Sequence, residues 1–181
     1  VAGKALPAAL LMAKVQSTLR ALATEVPDLG TLAARTNQIL CRDGLANRFA
    51  TMVYLDVAER SGSIRLLNAG HMPPVHVTNG AAHQLPLGNM ALGLMPAVTY
   101  AEQSVDLAAG DLLVIYSDGL TEALNAAGDF FGDDRLLALL PATAHLGARD
   151  IGRRLLDAVA TFVGDRRPYD DLSLVILKRK G

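Results

Sequence analysis

The chain has 181 residues, about one domain's worth, and 51% of them are hydrophobic, enough to bury a core without staples. Lys and Arg (17) nearly balance Asp and Glu (18), and apart from a short Lys178-Arg179-Lys180 tail they are scattered. No electrostatic footprint for a phosphate backbone results, which argues against nucleic acid as a partner. Cys41 is the only cysteine, so an intramolecular disulfide is excluded, and a small loop or core residue is its expected role.

Ala8 to Val15 is apolar, but Lys4, Lys14 and Gln16 interrupt or flank it, and it falls short of the roughly 18 apolar residues that span a bilayer. The expectation is a cytoplasmic domain with no membrane segment. Val1 to Leu6 reads as a loop and Pro7 as the first residue of a helix. Leu11, Val15, Leu19 and Leu22 then recur at helical spacing, and Pro27 ends the stripe. Asp28 or Thr31 can cap a second helix carrying Leu32, Thr36, Ile39 and Leu40, followed by a loop from Cys41 to Arg48.

From Phe49 the period changes to two. Phe49, Thr51, Val53, Leu55 and Val57 alternate with Ala50, Met52, Tyr54 and Asp56, as expected of a strand, and Ile64 to Ala69 returns after a turn. Adjacent Pro73 and Pro74 must leave the ladder. Val75 to Thr78 and Ala81 to Leu85 flank Asn79-Gly80, a strong hairpin signal. After a loop containing Gly88 and Gly93, Thr99 to Leu107 alternates, and Ala109-Gly110 is expected to turn it into Leu112 to Tyr116 as an antiparallel meander. Helices are expected from about Asp133 to Leu140 and along Ile151, Leu155, Val159 and Phe162, the latter stopped by Gly164. Leu172 to Leu177 reads as a last strand. The elements predict an α+β fold, one domain over residues 1–181, with helices covering antiparallel sheets.

Leu112 to Tyr116 is an unbroken apolar run, read as a strand buried on both faces, with Asp118 at its exit. Asp170 and Asp171 immediately precede the last strand. If these strands pair antiparallel, about 4.8 Å apart, Asp118 and Asp170 share one rim of the sheet. Two carboxylates there need a cation or a shared proton between them, and all-oxygen donors favour Mg²⁺, Mn²⁺ or Ca²⁺ over zinc. The structural alternative is that Asp-Gly after a strand and an Asp pair after Pro168 are ordinary turns.

Tyr116-Ser117-Asp118-Gly119-Leu120-Thr121-Glu122-Ala123, Asn68-Ala69-Gly70-His71-Met72-Pro73-Pro74, Phe49-Ala50-Thr51-Met52 and Asp170-Asp171-Leu172-Ser173-Leu174 resemble the metal-dependent protein phosphatases (PPM). The closer likeness is to their bacterial SpoIIE-like branch, which acts on regulators of alternative sigma factors, and it covers nearly the whole chain. The resemblance implies a sandwich of two antiparallel sheets flanked by helices, with a two-metal Mn²⁺ or Mg²⁺ site. It implies Asp118 and Asp170 as catalytic metal ligands, and it puts Asp171 where other branches have Asn. The chain begins inside the family's Gly-Asp-Val-x-Gly-Lys-Gly-x-Pro motif, as Val1-Ala2-Gly3-Lys4-Ala5-Leu6-Pro7. The domain is therefore expected to be truncated at its N-terminus, without its first strands and the bridging Asp. The Val1 carbonyl is then the remaining ligand from that motif, one metal or none is expected to bind, and this chain is expected to be inactive. Ala5 replaces the usual Gly, and Ala2 stands where some branches carry a His proposed as general acid.

The implied reaction is hydrolysis of phosphoserine or phosphothreonine on a bacterial regulatory protein, such as an anti-sigma factor antagonist, by metal-activated water. Glu122, four residues after Asp118, can reach the metal's water or simply charge a helix start. The helix from Pro7 to Ala23 is implied to relay signals from an upstream sensor domain or to support a homodimer. His71 is read first as a turn histidine bonded to backbone, and His76, His83 and His145 as solvent-facing. A non-catalytic interaction module on the phosphatase scaffold is the competing reading, and a different metal-dependent hydrolase is a third.

Overall fold

The computed structural model describes residues 1, 5–43, 48–58, 61–165 and 171–181. It is α+β, with two antiparallel sheets and five helices among the described residues, and it divides into two compact units. Among those residues no helix is long and apolar enough to cross a membrane.

The first unit comprises residues 1–71 and 87–106. Helix α1 (Ala5–Leu22) starts two residues before Pro7, so the proline lies within the first turn, where a missing N–H costs no helical bond. Helix α2 (Leu29–Asp43) is capped by Asp28, whose Oδ1 accepts the Thr31 N–H at 2.6 Å. That settles the choice between Asp28 and Thr31, because the carboxylate satisfies a donor that the first helical turn leaves orphaned. Leu11 and Val15 of α1 join Leu29, Leu32, Ala33 and Leu40 in one core, against which Met52 and Tyr54 pack. These last two lie on β1 (Met52–Ala58), which pairs in register with β2 (Ser63–Ala69), Met52 opposite Ala69.

Strand β5 (Gln103–Asp106) is the third strand of this sheet, pairing with β2 from Ser63–Asp106 to Leu66–Gln103. This corrects the expected meander in two ways. Thr99 to Glu102 stays out of the ladder because the Asn89 side chain occupies both backbone groups of Ala101, with its Oδ1 accepting the Ala101 N–H and its Nδ2 donating to the Ala101 carbonyl, each at 3.1 Å. After β5 the chain does not fold back on itself. Asp111 accepts the Ala108 N–H on its carboxylate and donates its own N–H to the Ala108 carbonyl, and Gly110, at φ +92°, donates to the Arg179 carbonyl. That turn delivers the chain into a different sheet.

The second unit comprises residues 72–86 and 107–181. Its sheet has the order β4 (Ala81–Gln84), β3 (Val75–Thr78), β6 (Leu112–Tyr116), β7 (Leu174–Lys178), all antiparallel. Asn79 and Gly80 have φ of +51° and +75°, the left-handed pair that a two-residue hairpin turn needs. All five residues of β6 are buried, as the apolar run requires of a central strand. Leu112, Val114 and Tyr116 share a core with Leu136 and Leu140 of α4 (Gly132–Thr143) and Ile151, Leu155 and Val159 of α5 (Ala148–Val163). Helix α4 runs three residues past the expected end at Leu140, accommodating Pro141 in its last turn. Phe131 and Phe162 meet edge to face at 5.5 Å, and the Arg135 guanidinium lies 4.7 Å from the Phe162 ring centre. Gly164, at φ +65°, ends α5 where the sequence placed its stop.

Candidate functional site

The carboxylate-bearing end of β6 meets the start of β7. The ladder runs from Leu112–Lys178 to Tyr116–Leu174 and continues one step further through Ser117, whose N–H donates to the Ser173 carbonyl at 3.0 Å. The Ser117 hydroxyl accepts the Ser173 N–H at 2.9 Å and donates to the Asp171 carbonyl at 3.3 Å. Asp118 follows and opens α3, a single helical turn from Asp118 to Thr121. Gly119 sits so close to the opposing backbone that a Cβ there would lie 2.5 Å from the Asp171 carbonyl oxygen.

Asp118 is exposed, and its Oδ1 accepts the Gly119 N–H at 2.9 Å. Its carbonyl accepts the Glu122 N–H at 2.8 Å, so Glu122 is one helical turn on, as read from the spacing, and it too is exposed. Asp171 is exposed at the same strand end. Asp118 and Asp171 are thus brought together through backbone and Ser117, while Asp170 lies outside the described residues. Val1 is exposed at 41% and belongs to the first unit, and Ala2 to Lys4, with the loop expected there, also lie outside the described residues.

Among the described residues no group of three or more His, Cys, Asp or Glu side chains is placed to hold a metal. What they supply at this rim is the exposed carboxylates of Asp118, Glu122 and Asp171, all hard oxygen donors. That chemistry fits Mg²⁺ or Mn²⁺ and does not fit zinc.

His71 is a turn residue, as first read. Its N–H donates to Asn68 Oδ1 at 2.8 Å, Asn68 Nδ2 donates to its carbonyl at 3.0 Å, and its Nδ1 lies 3.2 Å from Thr51 Oγ1. His83 and His145 are exposed, but His76 is not solvent-facing: its Nε2 lies 3.3 Å from Asp111 Oδ2, and its side chain is only 17% exposed. The strand pairing draws it there, because His76 stands opposite Leu113 in the ladder, two positions along β6 from Asp111. Gly93 and Gly88 serve loop geometry: Gly93, at φ +91°, donates its N–H to Asn37 Oδ1, and Gly88 abuts Asn68. Burial pushes the Cys41 thiol up, away from reactivity.

Sequence reasoning assigned no role to Ser117, Asn68, Asn89 or Asn37. Each is a short polar side chain beside an irregular segment, and this was the available signal.

The arrangement of two antiparallel sheets and helices is that of PP2C-type domains. The solved SiaA-PP2C domain of Pseudomonas aeruginosa superposes with a TM-score of 0.84 at 19% identity, over 98% of this chain and 71% of that one. The chain belongs to the Stage II sporulation protein E (SpoIIE) family, whose model matches residues 1–180. Metal dependence is general to the family. Similar relatives include Protein IcfG of Synechocystis, 28% identical over 157 residues and 83% of this chain, and phosphoserine phosphatase RsbU of Bacillus subtilis, 25% identical over 182 residues and 99% of this chain. The chain spans 24% of the former and 54% of the latter.

Proposed function

We propose that this chain is the catalytic domain of a metal-dependent serine/threonine protein phosphatase. The observation that carries the proposal is the placement of Asp118 at the end of a buried central strand, hydrogen-bonded through Ser117 to the start of β7, in a member of the SpoIIE family. Asp118 and Asp170 would hold one Mn²⁺ or Mg²⁺, and Asp171 and Glu122 would orient the water around it. When bound, the metal supplies Lewis-acid charge and an activated water for phosphate-ester hydrolysis. The chain's own part is to hold the carboxylates in place before the ester arrives, which matters because phosphate-monoester hydrolysis is among the slowest uncatalysed reactions.

The substrate we infer is a phosphoserine or phosphothreonine on a cytoplasmic regulatory protein, of the kind that antagonises an anti-sigma factor. The support is the likeness to a phosphoserine phosphatase over 99% of the chain. Helix α1 is the segment through which an upstream sensor or a second copy would act.

Release of phosphate from a phosphoserine protein by the full-length gene product tests the reading. Activity that requires Mn²⁺, is lost with EDTA and is lost in Asp118→Asn is expected. A full-length protein that binds the phosphoprotein but releases no phosphate with either metal would overturn it in favour of a non-catalytic interaction module.

A further inference from the structure

Beyond the last regular ladder pair, Tyr116 with Leu174, the next pair is Ser117 with Ser173. In an antiparallel ladder a hydrogen-bonded pair exchanges both N–H to carbonyl bonds. Only one is made here: Ser117 N–H to the Ser173 carbonyl, at 3.0 Å. The reciprocal acceptor is occupied elsewhere, because the Ser117 carbonyl takes the Leu120 N–H at 3.0 Å as α3 begins. The Ser117 hydroxyl stands in for it, accepting the Ser173 N–H at 2.9 Å. As a donor the same hydroxyl reaches the Asp171 carbonyl at 3.3 Å.

We infer that Ser117 is a positioning residue: its hydroxyl extends the β6–β7 ladder by one pair while the backbone turns into α3, and so fixes Asp118 against the chain at Asp171. This inference rests on the proposed metal site at Asp118. A hydroxyl suits the position because it accepts and donates at one atom. Ala does neither, leaving the Ser173 N–H without its acceptor. Thr keeps the hydroxyl, and the extended backbone at position 117 (φ −82°, ψ 161°) is one that β-branched residues favour. The absence of bulk at Gly119 is the second half of the device, since the Asp171 carbonyl fills the space a Cβ would take.

The test compares wild type, Ser117→Ala, Ser117→Thr and Asp118→Asn in the full-length protein, with two readouts. Mn²⁺ affinity is measured by titration calorimetry, and backbone amide exchange over residues 171–174 is measured without metal. Ser117→Ala is expected to weaken Mn²⁺ binding roughly 10-fold, the low end for loss of a group that orients a ligand, and to speed exchange in that segment, with Ser117→Thr close to wild type in both. Wild-type Mn²⁺ affinity in Ser117→Ala, with affinity lost in Asp118→Asn, overturns the positioning role and leaves the metal site standing. Undiminished Mn²⁺ binding in Asp118→Asn, or none by wild type, overturns the metal site and this inference with it. Unchanged exchange in Ser117→Ala likewise counts against the inference.

Discussion

Gly119 packs its Cα against the backbone carbonyl of Asp171, leaving a gap that a Cβ would reduce to 2.5 Å from the oxygen. The obstacle is backbone, its carbonyl bonded by the Ser117 hydroxyl, so it cannot swing aside as a flexible side chain would. Gly119→Ala is therefore expected to separate the ends of β6 and β7. A destabilisation of about 1–3 kcal/mol is expected from the forced shift, read as a lower urea midpoint. Mn²⁺ affinity should fall with it, and a variant with wild-type stability and affinity would show that the contact is not held in solution.

Asp118→Asn separates chemistry from folding at the same rim. The amide oxygen can still accept the Gly119 N–H, and the side chain is exposed, so stability without metal should change by no more than about 0.5 kcal/mol. The charge proposed to hold the cation is gone. Phosphate release by the full-length protein should fall on the order of 10²–10³-fold, with a matching loss of Mn²⁺ binding. Thermal melts beside phosphate assays distinguish this outcome from simple unfolding.

Much of this arrangement was legible because burial writes itself into hydrophobic period. The uninterrupted Leu112 to Tyr116 run became a strand with every residue buried, and the stripe Ile151, Leu155, Val159 became the core face of α5, stopped at Gly164. Strand partnership was not legible in the same way. Alternation states which side chains face inward but not which strand lies alongside, so β5 was expected beside β6 and pairs with β2 instead. What diverts the chain is polar and local: Asn89 occupies Ala101, and Asp111 closes its turn on Ala108. Ser117 was hidden for a related reason. Ser-Asp-Gly after a strand reads as an ordinary turn, and the partners of its hydroxyl, Asp171 and Ser173, are more than fifty residues away in sequence.

The Asn68 side chain, fully buried, should be a stability determinant of the Gly70-His71 turn. It accepts the His71 N–H and donates to the His71 carbonyl, while its own carbonyl accepts the Asn89 N–H at 2.7 Å. Asn68→Ala leaves two backbone groups without these partners, at an expected cost of about 1–3 kcal/mol in urea unfolding. Gly88→Ala should also destabilise, since a Cβ there would lie 2.5 Å from both Asn68 Cγ and the Asn68 carbonyl oxygen. Because the carbonyl remains when the side chain is cut back, the double variant should not recover the stability of Asn68→Ala alone. Recovery would mean that the side chain is the only obstacle.

Two buried phenols should make the fold lose stability at alkaline pH. Burial pushes Tyr100 up to about 12, and burial, assisted by the bond to Asp133 and opposed by that from Gln84, pushes Tyr116 up to about 12. Tyr116 donates to Asp133 Oδ1 at 2.9 Å and accepts from Gln84 Nε2 at 3.1 Å, whereas the Tyr100 hydroxyl has no hydrogen-bond partner among the described residues. A folded pKa above the unfolded value near 10 means that the folded state holds the proton more tightly. The stabilisation from both groups is complete below pH 10 and is lost as the pH rises through 12. Urea unfolding across that window should show a falling midpoint, and the ionisation band near 295 nm should show two late-titrating tyrosines. Tyr100→Phe and Tyr116→Phe should each remove one and make the decline shallower. At neutral pH Tyr116→Phe should cost more stability than Tyr100→Phe, about 1–2 kcal/mol, because among the described residues only the Tyr116 hydroxyl is hydrogen-bonded. Normal titration near 10 by both tyrosines in the folded protein would contradict the burial that places them in the two cores.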